Sequence, residues 1–126
     1  MRRSRTGPAV GVGLALHILV GGLMLFAGSG KCFGFAPPKV VDKLQHYGLA
    51  DRMHLIGVGE MLAAVLLLFP RTVSLGTLMT SGFWGGVICI HMAHHDSMAL
   101  PILMLLLTWI GAIFRESGTL ASMRRR

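Results

Sequence analysis

The chain has 126 residues, of which 53% are hydrophobic and only 13% charged, with a formal net charge of +7. A soluble domain carries about 25% charged residues to cover its wet surface, so this composition excludes an ordinary soluble fold. The basic excess also gives no nucleic-acid partner: the arginines gather at the ends (Arg2, Arg3, Arg5 and Arg124 to Arg126), with no basic, aromatic-laced face between them.

Four stretches reach the roughly 20 apolar residues, or 17–25 with tilt, that a membrane-crossing helix needs. None alternates in the manner of a barrel strand. The expected fold is therefore all-α: a polytopic membrane protein of one domain, a four-transmembrane-helix bundle. The first stretch runs from Pro8 to Gly30 and holds one ionisable residue, His17. The connection from Lys31 to Asp51 is the only long one. Its Pro37-Pro38 opens a Val40, Val41, Leu44, Tyr47 pattern that predicts a short amphipathic helix at the interface. The second stretch, Arg52 to Phe69, has Glu60 near its middle. Phe69-Pro70-Arg71-Thr72 is a turn so brief that the helices on either side must be antiparallel neighbours. The third, Val73 to Met92, and the fourth, Met98 to Phe114, carry no Asp, Glu, Lys or Arg. His94-His95-Asp96-Ser97 separates them. Asp96 or Ser97 is placed to cap the fourth helix, and Pro101 falls in its first turn, where a missing N–H costs little.

Orientation follows from the loop arginines and lysines. With the N-terminus inside, the cytoplasmic side has eight (Arg2, Arg3, Arg5, Arg71, Arg115 and Arg124 to Arg126) and the outer side four (Lys31, Lys39, Lys43 and Arg52). Both termini are then expected in the cytoplasm. The basic start and first apolar run also admit a signal peptide cleaved near Ala27-Gly28-Ser29, but the run is longer than a usual signal core, which favours the uncleaved span. In lipid, small residues decide how closely helices approach. Gly7 and Gly11, Gly59 and Ala63, and Gly82 and Gly86 have the four-residue spacing. They are expected at intramolecular contacts, with a homodimer face as the alternative.

Glu60 is the most informative residue. It lies about 12 Å of helix rise below Arg52, close to the membrane midplane. An ionised carboxylate there must be protonated, paired or hydrated. It is either a polar clamp between helices or a group that binds a ligand or moves protons. Lys31, ending the first span, has a stem long enough to reach inward. Arg52 is on Glu60's own helix and too far to meet it directly. His91 lies near the outer end of the third span. By depth these groups fall in the outer half, which suggests a polar pocket opening away from the cytoplasm. His17 is read first as a helix-to-helix hydrogen bond and second as a contact to haem or quinone. His91, His94 and His95 share a helical face and are weak metal candidates, without the companion ligands a metal site needs. Cys32 and Cys89 are read as free thiols, with a disulfide open only if their Cα atoms lie within about 7 Å. The nine methionines read as lipid-facing or core filler.

The run Leu55-Ile-Gly-Val-Gly-Glu60-Met-Leu, then Leu66-Leu-Leu-Phe-Pro-Arg71-Thr and Leu75-Gly76, resembles the DoxX-like family of small bacterial membrane proteins. Gly85-Gly86-Val-Ile-Cys-Ile-His91 is similar to that family's glycine-rich third span, and Gly28-Ser-Gly30-Lys31 to the ending of its first. The likeness covers roughly residues 10 to 115. It implies a four-helix membrane bundle in the bacterial cytoplasmic membrane, with Lys31, Glu60 and His91 at recurring polar positions. Some relatives are associated with quinone-linked oxidoreductase systems. Cys32 and the long loop with Pro37-Pro38 have no counterpart in the pattern.

Three functions follow from these readings. The first is a non-enzymatic membrane subunit or binder of a small apolar ligand, quinone or lipid, in an outward polar pocket built from Lys31, Arg52, Glu60, His91 and His17. The second is a catalytic subunit of a quinone-linked membrane oxidoreductase. The third is a proton-coupled carrier using Glu60. No cofactor motif occurs, so no cofactor is required by the sequence and quinone is the candidate; this favours the first reading over the second. Four helices without an inverted repeat disfavour the third. The expected partners are the lipid bilayer and either a second copy of the chain or an oxidoreductase subunit.

Overall fold

The computed structural model describes residues 8–115. Gly7 and the arginine-rich ends lie outside them. Five α-helices follow in order: α1 (Pro8–Phe33), α2 (Pro38–His46), α3 (Met53–Leu68), α4 (Val73–Ala93) and α5 (Ala99–Arg115). The described fold is all-α. A 3₁₀ turn, Ala50–Arg52, leads into α3, and a second, Pro70–Thr72, joins α3 to α4. The breaks fall where the sequence puts them, at Pro37-Pro38, at Pro70 and at the His-His-Asp-Ser run. Pro101 interrupts nothing, because it lies in the first turn of α5. Two boundaries move. α1 continues three residues past Gly30, and α3 begins one residue after Arg52, which sits in the 3₁₀ turn.

The four long helices close into a ring in which α1 packs on α3 and α5, and α4 packs on the same two. α1 and α4 therefore occupy opposite corners, as do α3 and α5. The ends of the ring differ: one carries Pro8 and Arg115, and the other carries α2. Two stretches, Pro8–Phe33 and Pro70–Ala93, are long and apolar enough to cross a membrane by themselves. α3 and α5 are shorter, at 16 and 17 residues.

The packing is inside-out by soluble standards. Phe26, Leu55, Leu78 and Leu106 are all more than half exposed. The interior holds His17, Glu60, Thr77, Thr80, Thr108 and Arg115 alongside Val20, Met24, Ala63, Ala64, Leu67, Trp84 and Met104. Apolar atoms outside and polar groups inside is the arrangement expected when the solvent is hydrocarbon.

The expected glycine contacts are corrected by this packing. A Cβ on Gly11, Gly59, Gly82 or Gly86 would meet nothing within 4 Å. Of the five described spaced positions only Ala63 is deeply buried, at 1% exposure. Backbones instead meet at other glycines: a Cβ on Gly13 would lie 2.7 Å from the Gly111 carbonyl oxygen, one on Gly28 2.8 Å from that of Gly57, and one on Gly76 would collide with the Leu67 nitrogen. Four-residue spacing places two glycines on one helical face without saying which way that face points.

Candidate functional site

The residues singled out by type fall into three places rather than one. The first joins α1 and α3. Lys31 Nζ donates to Glu60 Oε1 at 2.8 Å, with the side chains 11% and 3% exposed. The approach is made by small residues: Gly28 and Gly57 face each other, and a Cβ on Gly57 would press 2.8 Å from Cys32 Sγ and 3.1 Å from Lys31 Cβ. Gly57 is three residues before Glu60, on the same face of α3, so the glycine that admits the lysine stem also aligns it with the carboxylate. Arg52 is exposed in its 3₁₀ turn and has no part in this contact.

The second place lies toward the end carrying Pro8 and Arg115, about 21 Å of helix rise from Lys31 along α1. His17 Nε2 donates to the Thr108 carbonyl at 2.9 Å, and Arg115 Nη1 lies 3.0 Å from His17 Nδ1. A guanidinium has no acceptor, so Nδ1 accepts and Nε2 carries the proton. Arg115 also donates from Nη1 to the Leu67 carbonyl at 2.8 Å and from Nη2 to the Leu68 carbonyl at 2.6 Å. These are orphan acceptors of the last turn of α3, at the negative end of its dipole, where a cation is favoured. His17 is thus a helix-to-helix hydrogen bond, as its position suggested, and it is remote from the Lys31–Glu60 pair. By sequence Arg115 reads only as a topology arginine. Its inward turn follows from Gly111 one turn earlier, whose missing side chain leaves room for the His17 ring: a Cβ there would lie 2.5 Å from Cδ2.

The third place docks α2 against the α4–α5 connection. The Tyr47 hydroxyl donates to Asp96 Oδ2, and the Tyr47 ring packs on His94 and His91 with centroids 4.7 and 5.6 Å away. Lys43 Nζ stands 3.8 Å from Asp96, and His46 meets His94 edge-on at 5.4 Å. Partial burial and the neighbouring carboxylate push the Tyr47 hydroxyl up to about 12. The hydrogen bond from Tyr47, then the charges of Lys43, His46 and His91, hold the Asp96 carboxyl below its ordinary value, against some burial. Ser97 Oγ accepts the Ala99 N–H at 3.3 Å and caps α5, leaving Asp96 to Tyr47.

His91 therefore does not join Lys31 and Glu60. Its Nδ1 bonds the Ser97 carbonyl at 2.8 Å, while His94 Nδ1 bonds the Ile90 carbonyl at 3.0 Å. His95 is exposed, with φ 59°. Among the described residues no three His, Cys, Asp or Glu side chains come together in a group that could hold a metal. Cys32 and Cys89 are both free thiols; Cys32 Sγ approaches the His54 carbonyl at 3.6 Å.

Helices with apolar exteriors, joined inside by a lysine–glutamate pair and a histidine–arginine cluster, define a helical membrane protein. The family model for the DoxX-like family matches residues 15–111. The chain belongs to the DoxX-like family. Neither a curated protein nor a solved structure matches it.

Proposed function

We propose that the chain crosses the bacterial cytoplasmic membrane four times with both termini inside, and that Lys31 and Glu60 receive the polar head of a small apolar ligand, a quinone or a lipid. The span lengths support four crossings. α3 and its leading 3₁₀ turn rise about 30 Å together, the thickness of the hydrocarbon core. α5 is about 25 Å long, a mismatch that local thinning of the bilayer accommodates. The eight-to-four excess of basic residues supports the orientation, which puts the α2 end outside.

The observation that carries the ligand reading is the buried Lys31–Glu60 pair. Two apolar residues would join α1 and α3 at less desolvation cost, so an ion pair here points to a use beyond adhesion. An ammonium offers three N–H donors and a carboxylate two acceptor oxygens; the pair itself uses one of each. A ligand carbonyl or phosphate accepts from Lys31, and a ligand hydroxyl donates to Glu60. Arg52, His91 and His17 have other surroundings, so the proposed contact narrows to two residues. The bare Gly82 to Gly86 edge of α4 is where a second copy of the chain would approach closest.

The test is purification in mild detergent followed by absorbance spectroscopy and mass spectrometry of bound small molecules. A quinone or a defined lipid should co-purify and be lost in Glu60→Gln and Lys31→Met. An unchanged bound profile in both variants, or a haem or flavin spectrum from the wild type, refutes the binder. A C-terminal reporter active outside the cytoplasm refutes the topology.

A further inference from the structure

We propose that α2 is a hinged lid across the outer end of the helix ring, latched by Tyr47 and Lys43 onto Asp96, whose opening admits ligand to the Lys31–Glu60 pair. The lid itself stands on geometry; only the cargo rests on the binding role proposed above.

The route of the chain places α2 across the ring. The backbone leaves α1 at Phe33 and is turned back at once, because the Gly30 carbonyl accepts the N–H groups of Gly34, Phe35 and Ala36 at 3.0–3.1 Å. By Tyr47 it has reached His91, His94 and Asp96 at the end of α4. α1 and α4 are opposite corners. The chain then returns to enter α3 at Met53. The segment between Phe33 and Tyr47 therefore spans a diagonal. Lys31 lies two residues inside the end of α1, and Glu60 about 10 Å of rise inside the start of α3. The pair lies on the α1–α3 side of the ring, beneath the end of the diagonal that starts at α1.

The attachments of α2 are few: ring contacts of His46 and Tyr47 with His91 and His94, and the polar contacts to Asp96. Leu44 is its single buried residue; Lys43 and His46 are exposed, and Tyr47 half-buried. A hinge stands on each side, Gly34 at φ 85° and Gly48 at φ 74°, and a Cβ on either would meet nothing within 4 Å. Glycine backbone in open space absorbs a dihedral change with little steric cost. An element held by one buried apolar side chain, three half-exposed ring contacts, a surface ion pair and one strong hydrogen bond belongs to the low-stability end of a fold, from which lids are drawn.

With full-length protein in detergent, two rates are measured: hydrogen exchange in 38–46 and association of a short-tailed benzoquinone. Tyr47→Phe keeps the ring and removes the hydroxyl; Asp96→Asn keeps the shape and removes the charge. Each should raise exchange roughly ten- to a hundredfold, the loss of one hydrogen bond to a charged group, and quicken quinone association. Exchange in 38–46 unchanged in both variants overturns the lid. Faster exchange with unchanged quinone association overturns gating. Faster exchange, with quinone binding indifferent to Glu60→Gln and Lys31→Met, leaves the lid standing and removes the binding role.

Discussion

Lys31 and Glu60 meet at 2.8 Å between helices whose facing glycines, Gly28 and Gly57, almost touch. The contact couples the packing of α1 on α3 to a charge balance inside the protein. Removing one charge strands the other, whereas Glu60→Gln with Lys31→Met leaves a neutral amide and no buried charge at the contact. Glu60→Gln should lower stability by roughly 3–5 kcal/mol, and Glu60→Gln combined with Lys31→Met should recover much of that loss. Thermal unfolding of the three proteins in one detergent checks this. A double variant no more stable than Glu60→Gln alone would show that the pair is not coupled.

The glycines divide into two groups with opposite expectations. Gly76→Ala drives a Cβ into the Leu67 backbone, and Gly111→Ala drives one to 2.5 Å from a His17 ring held at both nitrogens. Each should cost about 1–3 kcal/mol by overpacking, or more where backbone must move. Gly82→Ala faces open space within α4 and should be neutral or stabilise by up to about 1 kcal/mol, because alanine is the better helix former. Melting curves that rank Gly82→Ala with Gly76→Ala would contradict the rotation of α4 that buries Gly76 and leaves Gly82 bare.

Arg115 closes the diagonal between α5 and α3. Arg115→Met should destabilise by about 1–3 kcal/mol for each buried acceptor left unpaired, with the Leu67 and Leu68 carbonyls the principal losses. Arg115→Lys should recover only part, since a single ammonium cannot reproduce the fork. Arg71→Met, at an exposed position, is the control. If thermal unfolding puts Arg115→Met level with Arg71→Met, the buried cluster contributes nothing.

Docking of α2 should have two pH limits. The folded Asp96 carboxyl is held below its ordinary value of 3.8, so its contribution is complete above that value and disappears as pH falls through the lowered one. Tyr47 is raised from 10.0 to about 12, so its contribution is complete below 10 and disappears as pH rises through about 12. Hydrogen exchange of residues 38–46 should slow between these limits relative to either side, after correction for the intrinsic rate. Tyr47→Phe should remove the alkaline edge and weaken the acid one, which Lys43, His46 and His91 still support. An alkaline edge that persists in that variant would assign it to another group.

Local features of the sequence decide a good part of this protein. The helical class, the turn at Pro70, the break at His94 to Ser97, the amphipathic helix after Pro37-Pro38 and the choice of Lys31 and Glu60 as notable groups are all legible. They depend on hydropathy, proline and side-chain chemistry within a few residues. What the sequence withholds is rotation. A run that is apolar all round has no preferred face, so nothing local says that Gly57 rather than Gly59 meets α1, or that Gly13 rather than Gly11 meets α5. Those choices follow from close backbone approach among four helices at once. The same packing separates His17 from Glu60, turns Arg115 inward onto the end of α3, and sends His91 to Tyr47 instead of to Lys31. Depth along a helix is a property of the chain; which depths meet is a property of the ring.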